Sequence, residues 1–447
     1  MASLCRVSLP YHRDSSRYFA AVKHLPLPVY LDSAAEYNER GRWDIICAEP
    51  EDVISINTID YGDINIFNIK VESRLNHINQ AYLDAPDLPF SGGAVGYLSY
   101  DFGEQFQAQL GGQTDDIPLA HIGIYPWTVI VDHELQRCEL VAQAHLSKSR
   151  VSELEGLLRK AAPETPAGKF RLTRAFQSSL NPDHYAEAFH KIKAYIDTGD
   201  CYQINLTREF SADFKGDPWS AYLCLREVAA APFSAYMDFG SSQFLCLSPE
   251  RLLAAQNRQL QTQPIKGTAA RSDDPDKDLL LATTLQGSAK NRAENIMIVD
   301  LLRNDFSKSC QTETVITEAL CELQSFRTVH HLVSTVTGHL RDDRSEFSAL
   351  LDCFPGGSIT GAPKQRAMEI IREIEPHRRS LYCGSIFYLG PKGKLDSNIA
   401  IRSFVCNQEK IRGWAGGGIV ADSILEEEFI ETETKISKLL NALADLD

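Results

Sequence analysis

The chain has 447 residues, 23% charged and 43% hydrophobic, enough for a large buried core in two or three domains. Its formal charge of −15 leaves no basic stripe to neutralise phosphates, which excludes a nucleic-acid partner. An anionic ligand would have to be captured by local cations and backbone N–H groups against the overall field. No run approaches about 18 uninterrupted apolar residues, so no membrane association is expected. Met1-Ala2-Ser3-Leu4-Cys5-Arg6 lacks the pattern of a signal peptide. The eleven cysteines stand singly, with no C-x-x-C pair; reduced thiols in a cytoplasmic protein are expected.

Up to about residue 145, short apolar runs alternate with turns, as in Gly93-Ala94-Val95-Gly96-Tyr97-Leu98 and Gly123-Ile124-Tyr125-Pro126-Trp127-Thr128-Val129-Ile130-Val131, a strand-rich pattern. Ser147 to Ala161 reads as a helix, and Ala162-Pro163-Glu164-Thr165-Pro166-Ala167-Gly168 as a linker. Asn181-Pro182-Asp183 caps a helix running to about Thr198. The turn Gly199-Asp200 leads into Cys201–Thr207, whose alternation fits a half-buried strand. Helices and strands mix without a regular βαβ rhythm, so the expected fold class is α+β with largely antiparallel sheets.

Four segments carry side chains suited to chemistry. Lys266, in Pro264-Ile265-Lys266-Gly267-Thr268, is either an exposed lysine beside a turn or an amine withdrawn from water and so nucleophilic. Glu294, opening Glu294-Asn295-Ile296-Met297-Ile298-Val299-Asp300-Leu301-Leu302, shares a helical face with Met297, Ile298 and Leu301. It is either a carboxylate at a helix N-terminus or one drawn inward to a cation. Glycine-rich loops occur at Phe354–Lys364 and at Trp414-Ala415-Gly416-Gly417-Gly418-Ile419. They fit an anion-binding backbone nest and close approach to a ligand, or plain tight bulges. In the helix from about Leu425 to Leu440, Glu428, Glu431 and Lys435 fall on one edge of the apolar stripe, whereas Glu426, Glu427 and Glu433 lie farther round. Two inward-leaning carboxylates with a third from elsewhere suit Mg²⁺; an acidic surface helix is the plainer reading.

In order, GDCYQINL, LSPERL, PIKGTAAR, AENIMIVDLLRND, VHHLVSTV, FPGGSITGAPKQRAMEII, YCGSIFYLG and AGGGIVADS closely resemble the motifs of the chorismate-utilising enzymes. The resemblance spans nearly the whole chain and is densest from about Gly199 onward. It implies a large antiparallel β-sandwich-like core with peripheral helices, as in the anthranilate synthase component I fold. It divides the chain into an N-terminal region, 1–165, and a chorismate-binding catalytic region, 180–447. It implies Mg²⁺ held by Glu294 and Glu431 with Glu428 in support. Tyr388 and Arg402 match groups that hold the enolpyruvyl carboxylate, and Gly267, Thr268 and Gly416–Gly418 match the carboxylate-binding turns. His331 matches an active-site histidine, Lys435 a lysine near the substrate, Glu250 the general acid and Lys266 a nucleophile toward ring C2. Where relatives often carry an acid, this chain has Asn291.

Two positions separate the subfamilies by resemblance. Anthranilate synthases carry alanine at the position of Lys266, and the water-adding enzymes carry a lysine base at the position of Gln203. Lys266 with Gln203 therefore implies amination of chorismate at C4. No cysteine sits in a G-x-C-x-G-like setting, so the ammonia is expected from a separate glutamine amidotransferase subunit. In Tyr30-Leu31-Asp32-Ser33 and Arg42-Trp43-Asp44-Ile45 the N-terminal region also resembles the family. Ser33 with Pro232, Phe233 and Ser234 matches a tryptophan pocket found in some relatives. The alternatives are an anthranilate synthase component I and a non-catalytic, tryptophan-binding regulatory homologue.

Overall fold

Pro126 divides the apolar run after Gly123, because a proline cannot donate to a strand ladder. The run becomes two strands, Ala120–Tyr125 and Trp127–Asp132, which belong to different sheets. A computed structural model describes residues 3–34, 41–57, 61–107, 117–163, 169–325 and 329–446. The first sheet runs in the order Cys5–Leu9, Arg137–Ala142, Trp127–Asp132, Trp43–Cys47, Val29–Asp32, Phe233–Asp238, Ser242–Ser248, Ser403–Asn407, Lys410–Ile419, Gln203–Gly216 and Gln177–Ser178. The second runs Ile265–Ala270, Val329–His339, Gln259–Thr262, Arg251–Gln256, Leu395–Asn398, Ser385–Leu389, Gly93–Leu98, Ala120–Tyr125 and Asp52–Ile56. Every pairing among the described strands is antiparallel. With eleven α-helices among the described residues, the class is α+β.

Early and late parts of the chain are hydrogen-bonded to one another in both sheets. Val29–Asp32 pairs with Phe233–Asp238 in the first, and Gly93–Leu98 with Ser385–Leu389 in the second. The largest apolar cluster draws Ile45, Met237 and Trp414 from the first sheet and Tyr97, Leu253 and Val336 from the second. It is the filling of a sandwich. A second cluster buries the apolar stripes of helices Ser16–Val22, Lys148–Leu158, Pro218–Ala229 and Leu425–Ala444 through Phe19, Leu154, Trp219 and Leu439. These are the peripheral helices.

Local signals act where the sequence places them. Asn181 Oδ1 accepts from His184 N at 2.9 Å and starts the helix Pro182–Asp197; Ser147 caps Lys148–Leu158. One expectation is corrected. Glu294 does not stand at a helix N-terminus, because the helix begins earlier, at Ala289, with Ser288 as its cap. Glu294 therefore lies in the second turn, half-buried, where the helix dipole gives it little. Of the linker Ala162–Gly168, residues 164–168 lie outside the described residues. All eleven cysteines are free, and among the described residues no helix is long and apolar enough to cross a membrane.

A buried ion pair joins the helix Pro218–Ala229 to the first sheet. Arg226 donates from Nε to Asp32 Oδ2 at 2.7 Å and from Nη2 to Oδ1 at 3.1 Å, and Tyr222 OH donates to Oδ2 at 3.0 Å. Removing one member of such a pair strands the other charge in a dry interior, at a cost of about 3–5 kcal/mol. Arg226→Ala is expected to lower unfolding stability by that amount, read from the denaturation midpoint. Paired with Asp32→Asn it should lose markedly less than the sum of the two single changes.

Candidate active site

Lys266 lies on the strand Ile265–Ala270, whose register against Val329–His339 shifts between Lys266 and Thr268. Gly267 supplies the bulge, with φ +82°, a conformation that favours a residue without Cβ. The bulge sets Lys266 opposite Leu332 and Thr268 opposite His331. Thr268 Oγ1 is hydrogen-bonded to His331 Nδ1 at 2.9 Å. Burial lowers the Lys266 pKa from its ordinary value. The Glu294 carboxylate is the largest opposing influence, Lys435 reinforces the lowering, and Glu250 and Glu431 oppose it. Four charged side chains, from two helices and one strand connection, therefore act on one amine.

Glu250 occupies the tight connection between strands Ser242–Ser248 and Arg251–Gln256 and is 7% exposed. Its backbone is pinned by Ser248 Oγ, which accepts from Glu250 N at 3.1 Å, and by Ile399 N, which donates to Glu250 O at 3.0 Å. Ser358 Oγ donates to Oε1 at 3.0 Å. Burial pushes the carboxyl pKa up, outweighing Lys266, the Ser358 hydrogen bond, Lys435 and the Ile265 N–H.

The strand Lys410–Ile419 pairs with Gln203–Gly216 through Gly416, Gly417 and Gly418, opposite Thr207, Leu206 and Asn205. A Cβ on Gly416 would meet Asn205 Oδ1 at 2.6 Å and Leu206 O at 2.7 Å, and one on Gly418 would meet Gln203 Nε2 at 3.1 Å. A Cβ on Gly417 would lie 3.0 Å from Glu428 Oε2 and 3.8 Å from Glu431 Oε1. Two carboxylates thus converge over the middle glycine, while two amides fill the space at its neighbours. Glu428 is 4% exposed and accepts from Ser423 Oγ at 2.6 Å; burial raises its pKa, with Glu431 adding to the rise. Lys435 Nζ lies 2.5 Å from Glu431 Oε1 and donates to Gly416 O at 3.0 Å.

The remaining residues singled out from sequence sit around this centre. Tyr388, half-buried with its ring 5.4 Å from that of Phe90, is opposite Asp396, which accepts from Arg251 Nε at 2.8 Å. Arg402 is exposed, with φ +51°; its carbonyl accepts from Leu247 N at 3.1 Å, beside the Glu250 connection. Asn291 Nδ2 turns back to Ser288 Oγ at 3.0 Å and so serves the helix cap. Ser33 and Ser234 lie at a different place, at the end of the Val29–Asp32 strand, where Ser234 is opposite Asp32. Ser33 Oγ donates to Asp44 Oδ1 at 2.7 Å and Ser234 Oγ to Ala231 O at 2.9 Å; Pro232 and Phe233 are half-buried beside them. Burial works to raise the Asp44 pKa, but His133, Ser15 and Ser33 hold it at about 2.

Three contributors were not singled out in the sequence: Ser358, Ser423 and Asn205. Each lies inside a motif already noted, FPGGSITGAP, AGGGIVADS or GDCYQINL. Glu433, placed on the solvated face, accepts from Arg208 Nη1 at 3.3 Å and so ties the last helix to the sheet.

A lysine and a carboxylic acid, both pushed toward their neutral forms and ringed by further carboxylates, define an enclosed centre for acid–base and nucleophilic chemistry on an anion. The chain belongs to the chorismate binding enzyme family, whose model matches residues 28–441. It is 41% identical to aminodeoxychorismate synthase component 1 of Salmonella typhimurium over 450 residues, covering 98% of each chain. To the Escherichia coli protein of the same name it is 39% identical over 451 residues, again covering 98% of each. Anthranilate synthase component I of Streptococcus pneumoniae superposes with a TM-score of 0.78 at 29% identity, covering 90% of this chain and 92% of that one.

The raised Glu250 pKa fixes the sign of a pH effect. The stability this side chain contributes is fully present below its ordinary value of 4.5 and is lost as pH rises through the higher folded-state value. Glu250→Gln is therefore expected to melt above the wild-type chain at pH 8, with the gap closing toward pH 4, in thermal scans across that range.

Proposed function

We propose that the chain aminates chorismate at C4, giving 4-amino-4-deoxychorismate for p-aminobenzoate and folate synthesis. Full-length similarity to aminodeoxychorismate synthase component 1 carries the reading, and the chemistry of Lys266 and Glu250 supports it. A C4 hydroxyl leaves only when protonated, and an enclosed acid with a raised pKa can still hold its proton at neutral pH. Glu250 donates that proton, the Lys266 lone pair attacks ring C2, both ring double bonds shift in turn and water departs from C4. Ammonia then adds at C4 as the C2–nitrogen bond breaks and the electron pair returns to lysine. A partly desolvated amine, relieved of its proton, suits this role.

Glu294, Glu431 and the supporting Glu428 are hard oxygen donors of the kind Mg²⁺ takes. Among the described residues no three such groups close on one point by themselves; Mg²⁺ commonly completes its shell with water and substrate oxygens. When bound, the ion orients the substrate carboxylate and screens its charge. Gly267, Thr268, Gly416–Gly418, Tyr388, Arg402 and Lys435 hold the two carboxylates of chorismate, with His331 fixed by Thr268 at the rim. Gln203 cannot act as a base toward water, which favours ammonia as nucleophile. A separate glutamine amidotransferase subunit supplies the ammonia, and the reaction takes place in the cytoplasm. Tryptophan occupies the Ser33, Pro232, Phe233 and Ser234 site.

Incubation of the purified chain with chorismate, Mg²⁺ and ammonium salt is expected to yield 4-amino-4-deoxychorismate. Anthranilate or isochorismate as the product would reject C4 amination, and no turnover would favour a regulatory protein. Lys266→Ala should slow amination by about a hundredfold or more and remove any chorismate adduct seen by intact-protein mass spectrometry; an adduct that survives rules out Lys266 as the nucleophile. For tryptophan, titration calorimetry on ligand-stripped chain should give binding heat, diminished by Ser33→Ala; a flat trace removes the ligand.

A further inference from the structure

Gln203 is fully buried, and neither Oε1 nor Nε2 has a hydrogen-bond partner. Two residues along the same strand Asn205, 7% exposed, leaves its Oδ1 unpartnered as well. Residues two apart on a strand project to one face, and both amides lie against the bare backbone of Gly418 and Gly416. The backbone of Asn205 is anchored independently: its N–H donates to Thr360 O at 2.9 Å, and its carbonyl accepts from Arg379 Nη2 at 2.6 Å. The side chain is therefore not needed to hold the strand, and three orphaned polar atoms on one buried face call for a ligand or an ordered water.

We propose that Asn205 is a substrate-positioning residue which, with Gln203, forms a neutral two-amide seat for ammonia; this rests on the amination reading above. Ammonia offers three N–H donors and must keep its single lone pair free for attack, so its seat should supply acceptors. Gln203 Oε1 and Asn205 Oδ1 are two. The seat carries no charge of its own, which favours ammonia over ammonium, whose proton would occupy the attacking lone pair.

The test is steady-state kinetics of the purified chain with chorismate, Mg²⁺ and ammonium salt at several pH values, with KM expressed in free ammonia. Asn205→Leu, close in shape but unable to accept, should raise the KM for ammonia by about tenfold or more while the KM for chorismate stays within about twofold. Gln203→Leu should move the same constant, and the double variant should rise by less than the product of the two, because both contact one molecule. If Asn205→Leu does not fold, Asn205→Ala, which also lacks an acceptor, gives the same readout. A rise confined to the chorismate KM would assign Asn205 to that substrate and overturn the seat. Unchanged constants would mean that the amides hold a structural water. Absence of amination by the wild-type chain would instead remove the underlying reading, and the seat with it.

Discussion

Charge is expensive where this molecule concentrates it, and the rest of the site follows from that. Lys266 and Glu250 share an enclosed space in which burial acts on both in opposite pKa directions, down for the amine and up for the acid. Their mutual attraction only partly offsets this. A pair that would form an ordinary ion pair in water is thereby brought nearer to exchanging its proton. Glu294 on the helix Ala289–Ser309, and Glu431 and Lys435 together on the helix Leu425–Ala444, adjust that balance, so the centre can be retuned from two directions without moving its two principal groups.

The scaffold that imposes this burial is continuous. Glu250 sits in a connection held by Ile399, Lys266 on a strand whose bulge is set by Gly267, and Glu428 on a helix locked by Ser423. The two sheets that carry these parts are each assembled from early and late stretches of chain. Chain segments far apart in sequence thus fix a common site, and the β-rich early region supports chemistry to which it contributes no named catalytic group.

Much of this was legible in the sequence, because strand alternation, helix caps and glycine punctuation are local signals. The Asn181 cap, the Gly93–Leu98 strand and the terminal helix with Glu428 facing inward all lie where their patterns put them. The helix bearing Glu294 starts a full turn earlier than its apolar pattern indicates, because Ser288 caps it there and accepts from Asn291 N. Ser358, Ser423 and Asn205 were not legible as partners. A serine hydroxyl or a short amide matters only through what lies within about 3 Å of it; for Ser358 and Asn205 those neighbours come from distant segments, and Ser423 meets Glu428 only once the last helix is placed. In sequence the glycine run fits either room for a ligand or a tight bulge; part of that room belongs to the protein's own side chains, which only tertiary structure reveals.

That occupancy constrains how the family could diverge at this strand. Gly416 is held by the backbone carbonyl of Leu206, which cannot step aside, so no larger residue can enter there. Gly418 meets only the tip of Gln203, a flexible side chain that a second substitution could shorten or redirect. A side chain at 418 therefore needs a shortened or redirected residue at 203, whereas 203 can change with 418 left as glycine. An evolutionary path that altered the nucleophile at this face would be expected to leave a correlated trace at those two positions and none at 416.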